Sequence, residues 1–441
     1  MKDSSLPGPL GQRFRWGWRW RRLWYPLAGL LHGALPRLLD MTASLALIAG
    51  LAPLLLGRAL AGLYQAGQIF EPVERVGQFR ATYRQLAFAG AAPGAGLAVL
   101  FNILKGDMAL AGPRALSPEE ADAMQDPAGI RFRIRPGLFS PHALRRKTGI
   151  AYDDEAELDQ AFYYGETARG NAGLVARAAI GSLLAGGGER AMPMPASFKL
   201  LGVTIVNTTL REAIDGIVNQ ARADRSSLVA FVNPDCLNIA YRHQEYRRVL
   251  EGAACVWPDG IGIKLGCRLL GLGLRENVNG TDLFPRLCER CVDENLSLYL
   301  LGARPGIARK TAENMQARYP GLRIAGARDG YFQPEEEDQA IAAINASGAN
   351  ILLVAFGAPR QELWLARHQP RLQPRVLIGV GGLFDFYSGN IPRAPIWMRE
   401  IGLEWTWRLM QEPGRMWRRY IIGNPLFLYR VYRQKLKETS A

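Results

Sequence analysis

Histidine and cysteine are scarce in this chain, with four and five copies among 441 residues. His32, His142, His243 and His368 are scattered, and none stands in a Ser/His/Asp setting, so each is expected to be structural. Cys236, Cys255, Cys267, Cys288 and Cys291 are odd in number, and no signal peptide is recognisable ahead of them. Both features fit a reducing cytoplasmic setting rather than a disulfide framework. Cys288 and Cys291 form a CxxC inside LFPRLCERCVDEN, which reads as a helix; no second pair or nearby histidine completes a zinc site. No GxGxxG follows a predicted first strand, which speaks against a dinucleotide-dependent oxidoreductase. No uninterrupted apolar run reaches the roughly 20 residues of a spanning helix.

Positive charge is what the chain has in excess. The net charge is +14 and the pI about 9.8, which suits anionic partners. Hydrophobic content of 48% and charged content of 21% exclude a disordered chain and a polytopic membrane protein. The length predicts two or three domains. Residues 12–25, QRFRWGWRWRRLWY, alternate arginine and tryptophan, a pairing suited to lipid head groups. Residues 41–57 are almost wholly apolar, but Pro53 interrupts them. That proline predicts a kinked helix that enters the bilayer and returns to the same face. The stretch LAGGGERAMPMP (184–195) reads as a linker. Residues 393–441 carry ten Lys/Arg against four Glu, interleaved with aromatics, and read as two or three amphipathic helices. Because the arginines at both ends keep company with tryptophan and apolar segments, an anionic membrane surface fits them better than nucleic acid.

Between linker and tail the pattern changes. LVAFVN, LSLYLLG, NILLVAFG and RVLIGVGG are short apolar runs, each closed by Asn or Gly and separated by helical stretches. This predicts an α/β, Rossmann-like parallel sheet with its ligand site at the carboxyl ends of the strands. Polar residues stand at those ends: Asn233 and Asp235; Asp259 with Gly260; Gln361 and Glu362; and Asp385. Asp259 is the best candidate for a general base, since Gly260 and Gly262 let a ligand approach the backbone; a helix N-cap is the competing role. No Asp-x-Asp triplet occurs in the chain, a motif many nucleotide-sugar enzymes use to hold a metal on the diphosphate. Arginines such as Arg408, Arg415, Arg418 and Arg419, or helix N-termini, are expected to face phosphates instead. No cofactor or metal is expected.

FVNPDCLN, WPDGIGI, VNGTDLF, LYLLGARPGIARKTAENMQARYPGLRIAGARDGYF, VAFGAPRQELWLARH and GVGGLFDFYSGNIPRAPIWMREIGLEWTWRLMQEPGRMWRRY run in order from Phe231 to Tyr420. They resemble the WecG/TagA/CpsF glycosyltransferases, also called glycosyltransferase family 26. The resemblance implies an inverting, metal-independent transfer from a UDP-sugar, often UDP-N-acetylmannosamine, to a sugar on undecaprenyl diphosphate. It implies Asp259 as base, with Asn233 beside it. Gln361, Gly260, Asn279, Asp282, Asp385, Arg408, Arg415 and Arg418 are then expected around the substrates. The tail is expected to bring arginines over the site and to dock on the membrane, and a homo-oligomer is compatible with the resemblance. Two positions depart from the usual pattern: Phe231 stands where members often have Thr, and Asn277 where they often have Arg.

KGDMALAGPR (105–114) and RFRIRPGLFSP (131–141), with RLLD, RVG and FYYGE, resemble the bacterial sugar transferases, polyprenyl-phosphate phosphoglycosyltransferases with a re-entrant helix. That family places an Asp-Glu pair seven and six residues before the asparagine aligned with Asn102; here Ala95 and Gly96 stand there. Neither can attack a phosphate or bind a metal, so this half is expected to be inert as a transferase. Asp107 and Arg114 remain and leave phosphate contact open.

The expected organisation is a basic segment (1–35), a small α-rich membrane-associated domain (36–185) with a membrane helix at about 41–63, and a linker (186–196). The sheet domain (197–392) and a helical appendage (393–441) follow. The leading expectation is a glycosyltransferase fused to an inert anchor on the cytoplasmic face of a bacterial inner membrane. A bifunctional enzyme and a non-catalytic assembly scaffold are the alternatives. The missing Asp-Glu pair opposes the first, and the retained Asp259, Asn233 and Gln361 oppose the second.

Overall fold

A computed structural model describes residues 34–90, 94–124, 129–148, 155–165, 167–185 and 192–440. The Arg/Trp stretch at 12–25 and the middle of the linker lie outside them. The chain divides at the segment 186–191 into two units.

In the N-terminal unit the apolar segment forms helix α1 (Ala34–Gly50) and helix α2 (Ala52–Ala66), bent by 73° at the break between them. Pro53 does not sit in mid-helix. It occupies the first turn of α2, where its missing N–H costs nothing, and the break falls at Leu51. Among the described residues no single helix is long and apolar enough to cross a membrane, but this bent pair is, by length and composition. Leu38, Leu45, Leu56 and Leu60 point outward, each more than half exposed. Helices make up most of the unit's described elements, and four strands accompany them. Strands β1 (Phe70–Val76) and β2 (Thr82–Phe88) form an antiparallel hairpin, and β3 (Ala109–Ala111) and β4 (Gly137–Phe139) a short parallel pair. Asn102, almost fully buried, accepts the Leu86 amide at 2.8 Å and donates to the Arg84 carbonyl at 2.8 Å, tying its helix to β2.

In the C-terminal unit each apolar run becomes a strand, as buried parallel strands require. After the hairpin β5 (Ser197–Leu200) and β6 (Val203–Val206) come β7 (Ser227–Val232), β8 (Cys255–Pro258), β9 (Ser297–Gly302), β10 (Arg323–Arg328), β11 (Ile351–Ala355) and β12 (Val376–Gly379). The last six form one parallel sheet in the order β10-β9-β11-β12-β7-β8. This is the expected Rossmann-like α/β architecture. The core on the β7–β8 side gathers Val203 and Ile205 from the hairpin, Val232 and Val256 from the sheet, and Phe427 and Val431 from the last helix. All five cysteines are free, and Cys288 and Cys291 are buried on the helix Gly280–Asp293. The appendage is more broken than expected: short helices Ile396–Glu400, Glu404–Gln411 and Pro413–Trp417 lead through a π-helical turn, Arg418–Ile422, into the helix Gly423–Ser440.

Candidate active site

Parallel strands all present their carboxyl ends to one edge of the sheet, and adjacent β12, β7 and β8 bring three chain exits together there. Leaving β7, Asn233 caps the helix Pro234–Ala240, its Oδ1 accepting the amides of Asp235 at 3.1 Å and Cys236 at 3.2 Å. Leaving β8, the Asp259 amide donates to the Val232 carbonyl at 2.8 Å, which carries the strand pairing one residue further. Gly260 follows with φ +95°, a value that favours glycine, and opens the helix Ile261–Leu269. Gly262 is forced by proximity: a Cβ there would meet the Pro234 ring at 2.4 Å. Asn277 accepts the Gly260 amide at 2.6 Å. Asn279 caps the helix Gly280–Asp293 by accepting the Asp282 amide at 2.8 Å. Three helix N-termini and the Asp259 carboxyl thus face one cleft of about 180 Å3.

The opposite wall comes from later chain. Phe386, Arg399, Trp405, Arg408, Arg419 and Tyr420 line it. Arg408 lies over the Phe386 ring at 5.5 Å, and its Nε has no hydrogen-bond partner among the described residues. Arg419 Nε stands 3.5 Å from the Asp235 carboxylate. Burial pushes the Asp259 carboxyl up to about 6; Glu404 adds to the rise, while Arg419, Arg408 and a hydrogen bond from Asn233 oppose it. A carboxyl poised there is largely ionised at neutral pH and more basic than an ordinary aspartate, as a proton acceptor needs to be. The helix N-termini beside it and the arginine forks opposite it form a setting for phosphate oxygens.

Six of the ten expected site residues line this cleft: Asp259, Asn233, Gly260, Asn279, Asp282 and Arg408. The structure gives Asp282 a further attachment, since its carboxylate accepts from both Asn279 and Arg393. Four residues are elsewhere. Gln361 is buried, its Oε1 accepting the Gly357 amide at 3.0 Å and the Gly381 amide at 2.9 Å, so it staples the loops after β11 and β12. Its Nε2 donates to Glu362 at 2.7 Å, and burial lifts that carboxyl to about 7 against this bond. Asp385 accepts from Asn390 at 3.1 Å. Arg415 and Arg418 are exposed, the first beside Glu412 at 3.3 Å and the second over the Trp417 ring at 5.4 Å. Sequence reasoning missed Trp405, Tyr420 and Arg399 as cleft residues. It also left open what the two departures do. Phe231 packs on Trp257 with ring centroids 5.7 Å apart, and Asn277 holds the Gly260 turn. Among the described residues no three His, Cys, Asp or Glu side chains are grouped as a metal ion needs.

The model of the WecG/TagA/CpsF glycosyl transferase family matches residues 198–441, the six-stranded unit together with its appendage. The chain belongs to this family. Among its relatives is the N-acetylglucosaminyldiphosphoundecaprenol N-acetyl-beta-D-mannosaminyltransferase of Bacillus subtilis, 31% identical over 240 residues, which are 54% of this chain and 92% of the relative. The protein of the same name from Bacillus spizizenii is 32% identical over 198 residues, 45% of this chain and 76% of the relative. The chain is therefore a glycosyltransferase, and Asp259 and the arginines described above lie within the family's own portion of it.

Proposed function

We propose that the C-terminal unit transfers an N-acetylhexosamine, N-acetylmannosamine foremost, from a UDP-sugar to N-acetylglucosamine carried on a polyprenyl diphosphate. The carrying observation is the placement of Asp259, raised to about 6, across one cleft from Arg408 and Arg419. Asp259 takes the proton of the acceptor hydroxyl, and that oxygen attacks the anomeric carbon from the face opposite the diphosphate. The bond from the anomeric carbon to the diphosphate oxygen breaks, and UDP leaves with the electron pair. One displacement of this kind inverts the anomeric centre. Arg408, Arg419 and the three helix N-termini stabilise the charge that grows on the departing diphosphate.

A lipid-linked acceptor fits the surface around the cleft. Trp397, Met410, Trp417, Ile421 and Ile422, all on the appendage, are exposed apolar side chains. With the outward leucines of α1 and α2, they support residence on the cytoplasmic face of a bacterial inner membrane in cell-surface polysaccharide synthesis. The N-terminal unit, with Ala95 and Gly96 where a nucleophile and a metal ligand would stand, serves as an inert anchor. Its surviving charges are engaged internally: Arg114 with Glu120 at 2.8 Å and Glu155 at 3.1 Å, and Asp107 with Lys105 at 3.1 Å.

The test is transfer by the purified full chain from UDP-N-acetylmannosamine to polyprenyl-diphosphate N-acetylglucosamine. Wild type forms the disaccharide-lipid and releases UDP, and Asp259→Asn does not. Equal transfer by the two removes Asp259 as base. Release of UMP with polyprenyl phosphate as acceptor would instead make the N-terminal unit an active second enzyme.

A further inference from the structure

The wall facing the base is aromatic, and the displacement just described uses none of its rings. Trp405 and Tyr420 meet with ring centroids 5.7 Å apart and planes at 57°. That angle makes a corner rather than a stack; Arg419 lies over the Tyr420 ring at 5.6 Å, and the indole is the ring left for another partner. Both rings line the cleft with Asp259, and neither is fully buried.

The backbone is built to put Tyr420 there. Arg418–Ile422 is a π-helical turn, a rare element that concentrates at functional sites. Arg419, Tyr420 and Asn424 all line the cleft, while Arg418, Ile421 and Ile422 are exposed. The turn is clamped from outside: Asn238 Nδ2 donates to the Gly423 carbonyl at 2.7 Å, and Arg430 donates to Asn238 Oδ1 at 2.8 Å.

We infer that the Trp405–Tyr420 corner is the subsite for the sugar ring of the acceptor, which packs its C–H face on the indole. The inference rests on the transfer reading above. One observation favours the acceptor over the donor. From Tyr420 the chain continues directly into exposed Ile421 and Ile422, which give the acceptor's isoprenoid tail an apolar exit. Asn424, on the same wall, offers an amide to a ring hydroxyl or acetamido group.

The experiment is steady-state kinetics of the full chain with UDP-N-acetylmannosamine and polyprenyl-diphosphate N-acetylglucosamine, each varied separately, for wild type, Trp405→Ala, Trp405→Phe and Tyr420→Phe. Loss of the indole face should raise the acceptor KM roughly tenfold and leave the donor KM within about twofold. Trp405→Phe should recover most of that loss, and Tyr420→Phe should behave as wild type. A rise in the donor KM instead would make the corner a nucleobase platform and overturn the inference. Unchanged KM values in Trp405→Ala would make the ring pair merely structural. If wild type transfers no sugar, the underlying reading fails and takes the subsite with it. Thermal unfolding of each variant separates a lost subsite from a lost fold, and Trp405→Phe carries the test if Trp405→Ala does not fold.

Discussion

The side-chain oxygen of Asn277 accepts the Gly260 amide at 2.6 Å, fixing the residue next to the proposed base. Asn277→Ala leaves a half-buried N–H unpaired and frees the turn. It should lower kcat/KM about ten- to a hundredfold with the fold retained, read by initial rates and circular dichroism. Asn277→Asp restores the acceptor but adds negative charge near Asp259, and should move the acidic limb of the pH profile upward. An activity unchanged in Asn277→Ala would mean the turn holds itself.

The pH dependence of transfer follows from burial. The Asp259 carboxyl, lifted to about 6, must be ionised to accept a proton. Transfer should therefore rise with pH through about 6 and level off above it. Glu404→Gln removes a repelling neighbour and should shift the limb down; Arg419→Gln removes an attracting one and should shift it up. A limb near the ordinary carboxylate value of about 4 would contradict this assignment.

Arg393 joins the appendage to the sheet unit by pairing with buried Asp282 and, at 3.3 Å, with Glu404. Arg393→Ala strands the Asp282 carboxylate and should cost about 3 kcal/mol of stability, measured by denaturant unfolding. Arg393→Met combined with Asp282→Asn removes both charges and should recover much of that loss. Equal stability of wild type and Arg393→Ala would show that solvent replaces the pair.

The sheet and half of the cleft could be read in the sequence because both depend on local rules. A buried parallel strand is a continuous apolar run, and the first polar residue after it, Asn233 or Asp259, has to stand at the edge where ligands bind. The other wall obeys spacing that no regular helix has. Helical periodicity would give Arg408, Arg415 and Arg418 a common face. A break at Glu412 and the π turn at Arg418–Ile422 rotate the last two outward and bring in Arg419 and Tyr420. Gln361 escaped for a different reason. It looked like a strand-end ligand residue, but the amides it binds belong to Gly357 and Gly381, on two loops that only the folded sheet brings together. At Pro53 the sequence announced a bend, and the structure moved it two residues upstream, to where proline is tolerated.

The outward leucines of α1 and α2 make a separate prediction. Leu45→Arg with Leu56→Arg places charges on that apolar face and should cut co-sedimentation with phosphatidylglycerol-containing vesicles about tenfold or more. Transfer to a short-chain, water-soluble acceptor should stay within about twofold, because the cleft is built in the other unit. Loss of that soluble transfer would show that the N-terminal unit does more than hold the enzyme at the bilayer.

The two walls of the cleft are also far apart in the order of synthesis. The polar wall is complete by Asp282, whereas the last contributors to the other are Arg419, Tyr420 and Asn424. A ribosome-bound chain that stops before these residues holds the Asp259 carboxyl but lacks half of the surface that faces it. The cleft therefore closes only once translation has passed Asn424, and a copy ended before that residue has no complete site in which to waste a nucleotide sugar.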